Sequence, residues 1–170
     1  MSKYLRLINC IKRHCEITWA TPSQEAIISL ISLHYSSHKV INIFGEQGSG
    51  KTFLGWLLQK NGYGRYMNYS EEFDRSLLYE KMVLDNAPTE KFKTRSLRSY
   101  LFESDHCKQL VLLTTLPVED DVPKLQLHLT DDDKAKFKQN MFLYCKVQIV
   151  NEEQDYNLNK LLIANIKGED

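Results

Sequence analysis

The chain has 170 residues, with 22 basic and 22 acidic side chains, so its formal net charge is zero, and 42% of its residues are hydrophobic. This length predicts one domain with a sizeable core, and the neutral charge excludes a strong overall attraction to nucleic acid or to anionic membranes. No apolar run approaches the roughly 18 residues that a membrane-spanning helix needs. With four cysteines and no long apolar segment near the amino terminus, we expect a reduced, cytoplasmic protein without membrane contact.

The amino-terminal part of the chain predicts two helices before the first strand. Residues 3–15 carry apolar side chains on one stripe, and a second helix opens at Pro22 with Thr21 as its N-cap. Residues 39–44 are short, apolar and rich in β-branched side chains, as expected of a buried strand. A glycine-rich loop then leads into a helix over residues 51–60.

The middle of the chain continues as an alternation of strands and helices. Strands are predicted at residues 65–69, 81–85 and 109–115, and helices at residues 71–79 and 90–103. Such alternation favours an α/β fold, in which helices cover both faces of a mainly parallel central sheet.

The carboxyl-terminal part predicts a mixture of both element types. Residues 124–129 alternate like a strand, and residues 131–144 form a helix pattern whose first turn contains three acidic side chains, which the helix dipole favours. A last strand is predicted at residues 146–150 and a last helix at residues 156–166.

The glycine-rich loop matches the pattern G-x-x-x-x-G-K-[S/T] and lies between a predicted strand and a predicted helix. Its glycines allow a tight turn whose backbone N–H groups can surround phosphate oxygens, and the next helix directs its positive end at the same anion. The lysine can reach the terminal phosphates and the threonine hydroxyl can bind Mg²⁺. The predicted nucleotide-binding residues are Gly45, Glu46, Gln47, Gly48, Ser49, Gly50, Lys51 and Thr52.

Polar residues at the ends of two later strands complete the predicted site. Asp85 ends an apolar strand and is the expected second Mg²⁺-binding group beside Thr52. Asn86 follows directly, and its side-chain amide can orient a water but cannot accept its proton. Thr114 and Thr115 end the fourth strand, and either can contact the γ-phosphate or the attacking water.

In their order along the chain, these segments resemble the additional-strand class of P-loop NTPases, and within it the AAA+ group. The loop sequence from Phe44 to Leu54 is similar to that of replication-initiator, helicase-loader and transposition ATPases, as are residues 65–70 and 112–117. The resemblance covers roughly residues 17–150. It implies a three-layer P-loop fold in one domain over residues 1–170, with amino-terminal helices (1–38), a nucleotide-binding core (39–150) and a carboxyl-terminal helix (151–170).

The resemblance also implies ATP with Mg²⁺ as cofactors and a role in DNA transactions. Residues 16–20 would line the adenine pocket, where Trp19 either stacks on the base or packs in the core. Two features differ from the family: Asn86 replaces the catalytic glutamate, and no arginine follows Arg98, so no arginine finger is expected. From the length of the chain, we also expect no helical lid. Hydrolysis is therefore expected to be weak or to depend on a partner protein.

Three functions are compatible with these features. The first is a nucleotide-dependent switch or adaptor that acts with a protein partner, with nucleic acid or as an oligomer. The second is a small kinase that transfers phosphate to a small-molecule acceptor, although the carboxyl-terminal half lacks the arginines that such kinases carry in a mobile lid. The third is a structural adaptor that binds a nucleotide without hydrolysing it.

Overall fold

In the computed structural model, a parallel β-sheet forms the centre of the protein. The residues described are 9–13, 15–35, 37–68, 80–86, 100–101, 107–122, 131–136 and 141–147. The strands are β1 (Val40–Phe44), β2 (Arg65–Asn68), β3 (Lys81–Asp85), β4 (Gln109–Thr114) and β5 (Phe142–Lys146). The α-helices bounded within the described residues are α1 (Pro22–His34), α2 (Lys51–Lys60) and α3 (Asp131–Lys136), and short 3-10 helices lie at Ile17–Trp19 and Val118–Asp121.

Within the described residues, the five strands run in the order β2-β3-β4-β1-β5, and every neighbouring pair is parallel. Val40 at the start of β1 pairs with Leu110 of β4 and with Phe142 of β5. Because all strands point the same way, their carboxyl ends meet at one edge of the sheet. The predicted α/β fold with a parallel sheet and accompanying helices is thus confirmed.

The side chains of the sheet alternate between two apolar clusters, one on each face. On one face, Ile27 and Ile31 of α1 and Leu54 and Leu58 of α2 pack on the strands. The strand residues of that cluster are Ile41, Ile43, Tyr66, Val83, Val111, Leu113 and Cys145. On the opposite face the strands pack against Tyr100, Leu101, Cys107, Val118 and Met141.

The predicted start of α1 at Pro22, with Thr21 as N-cap, is confirmed, and the structure adds a capping box. The Thr21 hydroxyl accepts from the backbone N–H of Gln24, and the Gln24 side chain accepts from the backbone N–H of Thr21. This reciprocal pair satisfies two N–H groups at the helix start. Helix α2 begins differently, directly after Gly50 and without a side-chain cap.

The carboxyl-terminal elements differ from the prediction. Of the helix predicted over residues 131–144, residues 131–136 are helical, but residues 142–146 form β5, so the helix prediction is wrong there. The strand predicted at 146–150 shares only Lys146 with β5, and residues 148–150 lie outside the described residues. Residues 142–146 form a strand because they pair along the whole of β1. This pairing satisfies the backbone hydrogen bonds of a segment whose apolar spacing suits a helix or a strand.

Several predicted elements lie wholly or mostly outside the described residues, namely those at 3–15, 71–79, 90–103, 124–129 and 156–166. Of the first of these, residues 9–13 are described and helical. None of the helices in the described ranges is long and apolar enough to cross a membrane.

Candidate functional site

The glycine-rich loop leaves the carboxyl end of β1 and enters α2 through two residues in the left-handed backbone region. Gly48 has φ 85° and Gly50 has φ 91°, a conformation that costs other residues about 1–2 kcal/mol. The turn at Gly50 brings the N-terminus of α2 to the loop. Because no side chain of the described residues caps this end, its first N–H groups are suited to an anion.

The first residue of the loop is held between the two strands that flank β1. The N–H of Gly45 donates to the carbonyl of Thr114 (3.1 Å), and the N–H of Val147 donates to the carbonyl of Phe44 (2.8 Å). A Cβ atom on Gly45 would lie 2.7 Å from the Val147 carbonyl oxygen and 2.9 Å from Ser49 Oγ. A side chain at this position would therefore push the loop away from the sheet.

The Lys51 side chain folds back over its own loop. Its Nζ donates to the carbonyl oxygens of Gly45 (2.5 Å) and Glu46 (2.9 Å) and lies 3.5 Å from Ser49 Oγ. Burial lowers the pKa of Lys51 below its ordinary value of 10.5, and the nearby Asp85 carboxylate opposes this shift. The ammonium thus has neutral oxygens as partners, and an anion in the loop would bind it more strongly.

The hydroxyl of Thr52 joins the loop to the end of β3. Thr52 Oγ1 donates to Asp85 Oδ2 (2.8 Å), and the carboxylate is almost completely buried. Because the hydroxyl hydrogen faces Asp85, the lone pairs of Thr52 Oγ1 are left for a cation. The described residues contain no cluster of three or more His, Cys, Asp or Glu side chains that would bind a metal. The sequence-predicted Mg²⁺ pair, Thr52 and Asp85, is in direct contact.

Asn86 follows Asp85 in a left-handed conformation, with φ 55°. Its N–H donates to Asp85 Oδ1 (2.9 Å), so this backbone turn also orients the carboxylate. Asparagine adopts positive φ more readily than most residues. The backbone geometry therefore favours asparagine over glutamate at this position.

The two threonines at the end of β4 differ in their surroundings. Thr114 is buried, and its hydroxyl interacts with Asn42 Nδ2 (3.0 Å) and donates to the Leu116 carbonyl (2.6 Å). Asn42 is fully buried and also accepts from the N–H of Val118 (2.9 Å). Thr115, in contrast, is exposed, so it is the one available to a ligand at this edge.

Helix α1 also contacts the loop, through Gln24. The side chain is 1% exposed and its Nε2 donates to the carbonyl of Gly50 (2.9 Å). A Cβ atom on Gly50 would collide with this amide nitrogen. The helix before the sheet therefore supports the end of the loop.

Trp19, predicted to stack on adenine or to pack in the core, lies half-buried against an apolar cluster. The cluster comprises Ile11, Cys15, Ala20, Phe53 and Leu57. Core packing is thus the alternative that the structure bears out for this side chain.

Three buried polar residues contribute to this edge of the sheet without having been predicted: Gln24, Asn42 and Tyr66. The Thr21-x-x-Gln24 spacing matches a capping box, which signals the helix start but not the contact with Gly50. Tyr66 of β2 donates from its hydroxyl to Asp85 Oδ2 (2.5 Å). No spacing rule links residues this far apart, although a polar side chain within an apolar strand is a general signal that a partner exists.

Comparisons of the chain with known protein families, with curated proteins and with solved structures found no match.

Proposed function

We propose that the chain is an ATP-binding P-loop protein of the additional-strand class, AAA+-like, which acts as a nucleotide-dependent switch or adaptor with weak or partner-dependent hydrolysis. The observation that carries the proposal is the 2.8 Å hydrogen bond between Thr52 and Asp85. These two residues were selected from separate sequence patterns, and a Mg²⁺·nucleotide site requires them to be adjacent.

The loop supplies the groups that would hold the phosphates. The N–H groups at the start of α2 and the Lys51 ammonium would bind phosphate oxygens, with Lys51 exchanging its contacts to Gly45 and Glu46 for charged partners. Thr52 and Asp85 would hold Mg²⁺, which neutralises phosphate charge when it is bound.

The strand order supports the additional-strand class and a three-layer P-loop fold. Strand β4 lies between β1, which leads into the loop, and β3, which ends at Asp85. An extra strand between these two is the feature that gives the class its name. Apolar clusters on both faces of the sheet agree with layers on either side.

The expected catalysis is weak because the groups next to Asp85 are poor bases. Asn86 cannot accept a proton from water, and its backbone conformation disfavours a glutamate. Of the two threonines, we assign the γ-phosphate contact to Thr115, because the Thr114 hydroxyl is bonded to Asn42 and Leu116. A partner protein would then supply the missing catalytic group.

The switch role follows from the position of the loop between several elements. The loop contacts Thr114 of β4, packs closely on Val147 just after β5 and contacts Gln24 of α1, so a bound phosphate that moves the loop can alter each of them. The link to DNA transactions comes from the family resemblance and is part of what the experiment below tests.

The test is calorimetric titration of ATP and ADP, with and without Mg²⁺, into wild type, Lys51→Ala and Lys60→Ala. Lys60 ends the same helix at an exposed position, so its variant controls for the loss of one positive charge. We expect Lys51→Ala to abolish or greatly weaken binding and Lys60→Ala to bind like wild type. Equal binding by all three proteins, or no binding by wild type, would contradict the proposal.

Phosphate release by the same samples, with and without DNA, tests the switch. Tight ATP binding with negligible release agrees with a partner-dependent switch, and acceleration by DNA supports the role in DNA transactions. Brisk release by the isolated wild type would contradict the assignment of weak hydrolysis.

A further inference from the structure

The Asp85 carboxylate receives a hydrogen bond from a neighbouring strand in addition to the one from the loop. The Tyr66 hydroxyl donates to Asp85 Oδ2 at 2.5 Å, and Thr52 donates to the same oxygen at 2.8 Å. The other oxygen accepts from the N–H of Asn86 at 2.9 Å. Three elements of the fold therefore hold one buried carboxylate.

These hydrogen bonds fix the orientation of the Asp85 carboxylate. An ionised carboxylate offers about four lone-pair positions, and the described residues fill three of them. Because Oδ2 is shared by Tyr66 and Thr52, the carboxylate cannot rotate without breaking both bonds. Its orientation keeps the Thr52 hydrogen on Asp85 and the Thr52 lone pairs available.

We propose that Tyr66 is a positioning residue for Mg²⁺: it holds Asp85 in the orientation that prepares Thr52 for the cation. This inference rests on the proposed function, because it concerns the metal of the same ATP site. Second contacts of this kind fix the geometry of metal-binding groups, and their loss typically lowers metal affinity by 10-fold to 100-fold.

The surroundings of Tyr66 make it suitable for holding a partner in place. The ring is buried and stacks on Trp56, with centroids 4.2 Å apart and an interplanar angle of 28°. The backbone N–H of Tyr66 donates to Gln59 Oε1 (2.7 Å). Gly55 allows the close approach, since a Cβ atom there would lie 2.8 Å from the Tyr66 ring.

The stacked indole also provides an optical signal for the site. The chain contains two tryptophans, and Trp56 lies against the ring whose hydroxyl contacts Asp85. Replacing Trp19 with phenylalanine leaves Trp56 as the single indole. If Mg²⁺ binding moves the Asp85 carboxylate, the hydrogen-bonded Tyr66 ring would shift against the Trp56 indole and alter the fluorescence of Trp56.

The experiment compares Tyr66→Phe with Tyr35→Phe. Tyr35 also donates one hydroxyl hydrogen bond, to the Tyr63 carbonyl (2.8 Å), so its variant loses the same chemical group outside the predicted site. ATP affinity is measured for each protein with Mg²⁺ and with EDTA. In EDTA we expect Tyr66→Phe to bind ATP as tightly as wild type. We expect the factor by which Mg²⁺ raises ATP affinity to be about 10-fold smaller in Tyr66→Phe and unchanged in Tyr35→Phe.

The outcomes separate this inference from the proposed function. If Tyr66→Phe retains the Mg²⁺-dependent increase within two-fold, or loses affinity equally in Mg²⁺ and in EDTA, the positioning role is refuted while nucleotide binding stands. If wild type binds no ATP under either condition, the proposed function fails and this inference fails with it.

The fluorescence of Trp19→Phe in the otherwise unchanged chain gives a second measurement that does not alter Tyr66. We expect Trp56 emission to change when Mg²⁺ is added to the ATP-bound protein, and the change to be absent in Trp19→Phe/Tyr66→Phe. Identical emission of ATP-bound Trp19→Phe before and after Mg²⁺ would overturn the positioning role.

Discussion

Replacing Asn42 with alanine should destabilise the protein more than any exposed polar substitution. Asn42 lies in the middle of β1 and is fully buried. Its amide donates to the Leu112 carbonyl (3.1 Å) and contacts the Thr114 hydroxyl (3.0 Å), and its oxygen accepts from the Val118 N–H (2.9 Å). One side chain thus joins β1 to β4 and to the segment that follows β4.

The size of the effect follows from what each partner loses. Val118 is fully buried, so its N–H would lose its acceptor away from water, which costs about 2 kcal/mol. Each of the two contacts made by the amide nitrogen contributes about 1 kcal/mol. We therefore expect Asn42→Ala to lower the free energy of unfolding by about 4 kcal/mol.

Urea denaturation of wild type and Asn42→Ala measures this difference directly. Asn61→Ala is the matched control, because Asn61 is exposed and donates one hydrogen bond, to the Leu57 carbonyl at the end of α2. We expect the control to lose about 1 kcal/mol. A loss below about 1 kcal/mol for Asn42→Ala would refute the reasoning, since the buried N–H would then have another acceptor.

Three further predictions concern the loop and its neighbours. Gly55→Ala would place a methyl group 2.7 Å from Leu113 Cδ1, so it should lower the free energy of unfolding in urea by about 1–3 kcal/mol; unchanged stability would contradict this. Because the pKa of Lys51 is lowered in the free protein and phosphate would raise it, ATP binding should take up a proton at alkaline pH and weaken as the pH rises through the pKa of free Lys51. Calorimetry in buffers of different ionisation enthalpy detects that proton, and identical heats would refute it. Asn86→Glu should leave phosphate release slow and cost about 1 kcal/mol in urea, because glutamate at positive φ is strained; fast single-turnover release would contradict the argument.

Much of the sheet could be predicted from local patterns, and β5 is the exception because its structure depends on a distant strand. Strands β1 and β4 are short, apolar runs that are buried throughout or nearly so, and such runs are recognisable without tertiary information. The segment 142–146 carries apolar residues that fit a helix equally well. Its strand structure arises from pairing with β1, roughly a hundred residues earlier, which no window of sequence contains.

The candidate site divides in the same way. The glycine-rich loop and Asp85 follow patterns in which the chemistry dictates the residue types, and the structure brings Thr52 and Asp85 together. Tyr66 and Gln24 were missed because their partners, Asp85 and Gly50, are fixed only by the folded arrangement. Local patterns therefore predicted the groups that would contact the ligand, but not the side chains that hold these groups in position.

The Asp85 carboxylate and the Lys51 ammonium differ in how far their charges are compensated by the protein. Asp85 already accepts hydrogen bonds from Thr52, Tyr66 and Asn86. In the described part of the chain, the hydrogen-bond partners of the Lys51 ammonium are neutral oxygens, and burial lowers its pKa. A lysine whose pKa is lowered by folding costs stability while it is charged in both states, and this cost disappears as the pH rises above the lowered pKa. An anion in the loop would remove the same cost at neutral pH. Phosphate affinity should therefore come mainly from the Lys51 side, and Mg²⁺ should add to it through Asp85 rather than be required for it.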